Sequence, residues 1–170
     1  YLSTIIFLYT AAMQIALENG LISAQEELEI AGELYEAVAY MKQNIVLSEA
    51  WVEKNADVLT HMPHYVVVGK GQAGIVAKES ALKLVETVLK PASYYEFEEF
   101  LHGPISDING MLAGIYMLPH RNDPDYERML KVARVHAEES DAVCIVGVCG
   151  EEGEDILGLK TGKAWYTEPL

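Results

Sequence analysis

The chain is short of positive charge. Its 170 residues hold 12 Lys and Arg against 26 Asp and Glu, a formal net charge of −14. Nucleic acids and anionic membrane surfaces are bound through clustered cations, so this balance argues against both as partners. The acidity serves solubility, and a phosphorylated ligand would need local help from backbone amides or a partner domain. Cysteine is scarce as well. Cys144 and Cys149 share one apolar run at odd spacing, which on a strand puts them on opposite sides. They read as small buried hydrophobes, not as a disulfide pair, and a cytoplasmic, reducing setting fits.

A membrane-length apolar run is also lacking. Residues 1–17 are strongly apolar, but the run is short for a span and contains Ser3, Thr4, Thr10 and Gln14. It has no basic flank of the kind a signal peptide carries, so a buried helix is expected and no membrane association. His61 and His64 lie three apart with no acidic or thiol partner, so no metal is expected. The acidic cluster Glu151, Glu152, Glu154 and Asp155 lacks the EF-hand pattern and reads as a solvated turn. There is no internal repeat and no low-complexity segment.

What is present is a foldable chain, with hydrophobic residues at 51%. That composition excludes a disordered chain. The length suits one domain, or one domain with an added helical layer, and lets about 68–70% of the unfolded surface be buried. The chain starts at Tyr1, which reads as a fragment.

The first third is helical. One helix is expected from Leu2 to Glu18, stopped by Asn19-Gly20. A second starts near Gln25, where Leu28, Ala31, Leu34, Val38, Met41 and Ile45 form one apolar face. A third spans Glu49 to Leu59 with Ser48 as N-cap, and Met62-Pro63 breaks the region. From His64 the period changes. Tyr65–Val68, Ser93–Phe97, Leu112–Leu118 and Ala142–Val148 read as strands, and Gln72–Lys90 and Asp125–Ser140 as helices. This alternation implies a parallel sheet with right-handed crossovers, whose ligands bind beyond the carboxyl ends of the strands.

Three constellations carry chemistry. Gly69, Gly71 and Gly74 match G-x-G-x-x-G between a strand and a helix, with Glu96 or Glu98 near the place of a ribose-binding acid. A dinucleotide loop, a sugar- or phosphate-facing loop and a purely structural turn all fit. In the following helix Glu79, Lys83, Glu86 and Lys90 share one stripe. That stripe is either a solvated row of salt bridges or the wall of a cleft with Glu86 as general base, made more basic by partial burial. His102 precedes Gly103-Pro104, which fixes its direction; it is a loop histidine capping backbone groups or a second proton carrier.

At this point a family resemblance emerges. The stretch Val66 to Pro104 resembles the sugar isomerase (SIS) domain. It is most similar to the second such domain of phosphosugar isomerases, in the glucosamine-6-phosphate synthase isomerase group and its deglycase relatives. There a helix A-x-E-x-A-L-K-L-x-E is followed by a strand and E-x-x-H-G-P. Here those positions are Ala77, Glu79, Ala81, Leu82, Lys83, Leu84 and Glu86, then Glu99, His102, Gly103 and Pro104. The resemblance implies a three-layer α/β/α sandwich, flavodoxin-like, on a five-stranded parallel sheet with an N-terminal helical arm. Residues 1–60 would be the arm following a first SIS domain, and 61–170 the SIS domain, ending before the family's C-terminal tail.

The resemblance also implies roles. Glu86 would be the base shuttling a proton between C1 and C2 of a sugar phosphate. His102 would help open the ring, often from a neighbouring subunit. Gly69, Gly71, Glu79 and Glu99 would line the substrate, with no cofactor and no metal. The expected activity is aldose–ketose isomerisation, or isomerisation, deamination or deglycation of an amino-sugar phosphate. The expected partner is a second copy or a first SIS domain. The Ser/Thr-rich phosphate loop, the tail lysine (Lys160 and Lys163 do not match its context) and the glutamine-cleaving domain are not found here. This segment is therefore not expected to catalyse alone. A regulatory module that binds a sugar phosphate without turnover is the alternative, and a scaffold whose helical arm dimerises is a third reading.

Overall fold

The structure is a computed structural model that describes residues 2–147 and 155–161. The first helix, α1 (Leu2–Glu18), has the expected bounds. It ends where Gly20 takes a left-handed conformation (φ +68), which lets the Leu21 amide reach back to the Ala16 carbonyl at 2.8 Å. Ser23 then opens α2 (Ala24–His61) through a capping box with Glu26.

The expected break at Ser48 does not occur, because α2 is a single helix of 38 residues, about 57 Å long. No proline lies between Ala24 and His61, and one serine is easily carried inside a helix. The stop comes at Met62, ahead of Pro63, where the backbone must turn extended.

Five strands follow: β1 (His64–Gly69), β2 (Ala92–Glu96), β3 (Leu112–Met117), β4 (Val143–Gly147) and β5 (Ile156–Gly158). All pairings are parallel, in the order β2-β1-β3-β4-β5. This is the flavodoxin-like doubly wound order, with its switch point between β1 and β3. The sequence pattern placed four of these strands; three-residue β5 is too short to read.

Between β1 and β2 runs α3 (Gly71–Lys83), continued by a π-turn over Leu84–Val88. After β2 come α4 (Phe97–Leu101) and a 3-10 turn over Pro104–Asp107, and α5 (Tyr126–Glu139) lies between β3 and β4.

Alternation along β1 divides the core. Val66 and Val68 face Phe97, Phe100, Tyr116, Tyr126 and Met129 under α4 and α5. Tyr65 and Val67 face the other way, toward α2 and α3, where Ala77, Ala81, Ala113 and Ala142 are buried. Cys144 is buried, and burial pushes its thiol up to about 12. Cys149, Lys163, Glu151, Glu152 and Glu154 lie outside the described residues. Asp155 is paired with Arg134 at 2.6 Å.

Candidate functional site

At the carboxyl edge of β1 each glycine has a mechanical reason. A Cβ on Gly69 would lie 2.8 Å from that of Ala77 and 2.9 Å from the Ala73 carbonyl, so Gly69 lets α3 come close to the strand. Gly71 opens α3 with φ +58. Lys70, between them, sends its ammonium to Asp123 at 2.9 Å and Asp125 at 2.5 Å in the loop after β3. Asp125 also meets Arg128 at 3.1 Å, and Arg128 reaches Glu98. These bonds hold the Asp125 carboxyl below its usual range, Lys70 first and Arg128 after it, and raise Lys70.

The carboxyl edge at the switch point is thus closed by internal ion pairs. One cation is matched by two carboxylates there, a poor cradle for phosphate. Glu98 is occupied by Arg128, and the Glu96 carboxylate accepts from the Glu98 amide at 2.7 Å. Both candidate ribose acids are bonded within the chain.

Glu86 sits at the other end of α3, near the amino edge of the sheet. Here the helix widens into the π-turn, and Leu89 closes it in a left-handed conformation (φ 57, ψ 35). Lys90 and Pro91 then lead into β2. The expected stripe is three-quarters realised: Lys83 Nζ lies 2.6 Å from Glu86 and 3.5 Å from Glu79. The fourth member, Lys90, donates instead to the Thr60 carbonyl at 3.0 Å. The Glu86 hydrogen bond, above all, raises Lys83. Glu86 is 49% exposed, so this chain alone does not supply the partial burial expected of a general base.

His102 caps the C-terminus of α4, its amide donating to the Glu99 carbonyl at 3.2 Å. His102 and Glu99 are both exposed. They belong to the face of Phe97 and Phe100, whereas Glu86 belongs to the face of Ala77 and Ala81. The structure therefore joins Glu79, Lys83 and Glu86, keeps Glu99 and His102 beside each other on α4, and leaves Gly69 and Gly71 at the opposite edge. Glu86 and His102 lie on opposite faces of the sheet beside its free edge strand, β2.

Sequence reasoning missed a cavity of about 610 Å³ at the carboxyl edge beneath α2, walled by Met41, Val52, Val76, Met117 and Leu159. Its roof exists only because α2 is continuous, and Asn44 clasps it to the far side of the sheet. The Asn44 side chain accepts from the Lys160 amide at 2.9 Å and donates to the Lys160 carbonyl at 2.8 Å. A smaller cavity of about 290 Å³, beside the turn that carries His102, is lined by His64, Ser93, Tyr95, Pro104 and Asp107. Among the described residues no helix is long and apolar enough to cross a membrane.

No protein-family model matches the chain. Among curated proteins it is similar to glutamine–fructose-6-phosphate aminotransferases (isomerizing). That of Zymomonas mobilis is 30% identical over 153 residues, 88% of this chain and 25% of the relative. That of Aeropyrum pernix is 31% identical over 106 residues, 62% of this chain and 17% of the relative. The chain thus spans a quarter or less of the length of these relatives. Among solved structures it superposes on a protein of Clostridium difficile assigned as a phosphosugar isomerase, with TM-score 0.78 and 27% identity, covering 95% of this chain and 44% of that one. The C-terminal domain of glucosamine-fructose-6-phosphate aminotransferase from Francisella tularensis shares the fold, with TM-score 0.71 and 19% identity, covering 92% of this chain and 45% of that one.

Proposed function

The chain is a sugar isomerase (SIS) domain by fold and by its relatives, and on that premise we propose that it takes part in proton transfer between C1 and C2 of a sugar phosphate. The reaction would be aldose–ketose isomerisation, or isomerisation or deamination of an amino-sugar phosphate. Glu86 is the base. The observation that carries this is the Lys83 ammonium 2.6 Å from its carboxylate, which fixes the carboxylate in place at the end of α3. His102 is the acid/base at the ring oxygen; such groups typically contribute ~10²–10⁴-fold each. Glu79 and Glu99 support the two, while Gly69 and Gly71, at the opposite edge, serve the packing of α3 on β1 and its first turn.

Because Glu86 and His102 lie on opposite faces, a complete site needs a second polypeptide surface. The free edge of β2 and the exposed Leu82, Val85 and Val88 beside it support a second copy there. On the helical arm, residues 1–60, Phe7, Leu8, Leu28 and Tyr35 are exposed and support packing against a further SIS domain.

The test is deuterium entry at C1 or C2 of hexose and amino-hexose 6-phosphates in D₂O, followed by NMR with the full-length protein. Exchange that vanishes in Glu86→Gln supports the reading. Binding without exchange in the wild type would favour a regulatory sugar-phosphate sensor, a reading supported by the half-exposed Glu86 and by the internally neutralised Lys70.

A further inference from the structure

Within the π-turn, the Thr87 hydroxyl donates to the Lys83 carbonyl at 2.6 Å. Lys83 is thereby held at both ends, its carbonyl by Thr87 and its ammonium by Glu86 at 2.6 Å. A regular α-helix fills such a carbonyl with the amide four residues on, but a π-turn shifts the acceptor by one residue. The shift is visible at the end of the turn, where the Leu89 amide bonds the Leu84 carbonyl five residues back. Hydroxyl back-bonding of this kind bends and loosens a helix at a chosen place.

Thr87 is exposed, so water could satisfy both groups without this bond. What the bond fixes is direction. Leu89 has φ 57, a conformation leucine rarely adopts, and it locks the widened turn before Pro91. One residue more or fewer per turn swings a side chain by about 100° around the helix axis, so the width of this turn sets where the Glu86 carboxylate points.

We propose that Thr87 is a positioning residue for Glu86: through the Lys83 carbonyl it holds the π-turn that presents the Glu86–Lys83 pair. The proposal rests on the reading of Glu86 as the base, and it is separable from it. In the full-length protein, Thr87→Val removes the hydroxyl at nearly constant shape and Thr87→Ser keeps it. Two readouts apply. NMR reports the sign of φ at Leu89 and the Lys83–Glu86 contact, and deuterium exchange into the responsive sugar phosphate reports kcat and KM.

Thr87→Val is expected to lose the positive φ or the contact, and to lower kcat roughly tenfold, since small misplacements of a catalytic group are costly. KM should stay within about twofold, with Thr87→Ser restoring kcat. An unaltered turn and contact in Thr87→Val would overturn the proposal, whatever the activity. So would wild-type kcat in Thr87→Val alongside loss of exchange in Glu86→Gln. A wild type without exchange but with an altered turn in Thr87→Val would remove the base assignment alone.

Discussion

On the face covered by α4 and α5, Phe97, Phe100, Tyr116, Leu118 and Met129 have no exposed surface, and large side chains fill the layer. On the face covered by α2 and α3 the fully buried side chains are small, such as Val67, Ala77 and Ala113, and Ile75, Leu82, Val85, Val88 and Leu89 remain 45–80% exposed. The first face is closed by the chain itself. The second brings α3 close to the sheet through small residues, and among the described residues its outer side is apolar and uncovered. Tight packing and exposed apolar surface therefore fall on different sides of one sheet, and substitutions can test that division.

The largest effect belongs to the closed face. Phe100→Ala removes a ring packed at 6.1 Å from Tyr95 and 6.0 Å from Tyr116. It should cost about 3–5 kcal/mol in urea unfolding. A cost below about 1 kcal/mol would break the comparison.

Next is His136, fully buried on the same face. Its Nε2–H donates to the Leu112 carbonyl at 3.0 Å, and Nδ1 accepts from the Tyr116 hydroxyl at 2.9 Å, the arrangement of a neutral ring. A Cβ on Gly114 would meet that ring at 2.6 Å, so glycine makes its room. His136→Ala should cost at least about 1–3 kcal/mol by stranding both partners.

Burial lowers His136 below the ordinary 6.5. The folded state then binds fewer protons than the unfolded one just below that pH. Its contribution is complete above pH 6.5 and is lost as pH falls toward the folded-state value. Thermal midpoints measured from pH 7.5 down to 5 should fall in the wild type, and less steeply in His136→Ala.

Smaller effects fall on the open face. Leu89→Gly relieves a left-handed leucine worth about 1–2 kcal/mol and adds roughly 1 kcal/mol of unfolded-state freedom, for a net gain near 0.5 kcal/mol. A clear loss in thermal melts would show that the leucine side chain is covered. Val85→Asp should change monomer stability by about 0.5 kcal/mol or less. It should abolish any self-association seen by sedimentation in the wild type. Association that survives would place the interface elsewhere.

Much of this was readable from residues alone. The strands of the sheet's centre announce themselves as apolar runs between glycine and proline, and Glu79, Lys83 and Glu86 fall on one stripe by spacing. What was hidden depends on context. Ser48 carries an N-cap's chemistry, but nothing before it stops the helix, so α2 runs through it. The π-turn leaves no glycine or proline as a marker, and its end is a leucine in a glycine's conformation. The closing of the carboxyl edge joins Lys70 to Asp123, 53 residues away, which no local pattern reveals. Glu86 and His102 look like neighbours in sequence, but the chain steps from β1 out to β2 and then back across to β3, and right-handed crossovers in opposite directions put α3 and α4 on opposite faces.

The Asn44 clasp on Lys160 has a kinetic consequence. It closes a loop of 116 residues through two hydrogen bonds, and such closure carries an entropic cost that grows with the logarithm of loop length. The last strand must be seated before the clasp can form, so it belongs to the late stages of folding. By the same logic it opens early, and the Lys160 amide should exchange with solvent while the amides of β1 and β3 are still protected. The long helix is then a beam packed at its sheet end through Val58 and Leu59 and latched farther along by Tyr40, Gln43 and Asn44, all on the one residue Lys160, so the roof of the cavity shares the fate of that single contact point.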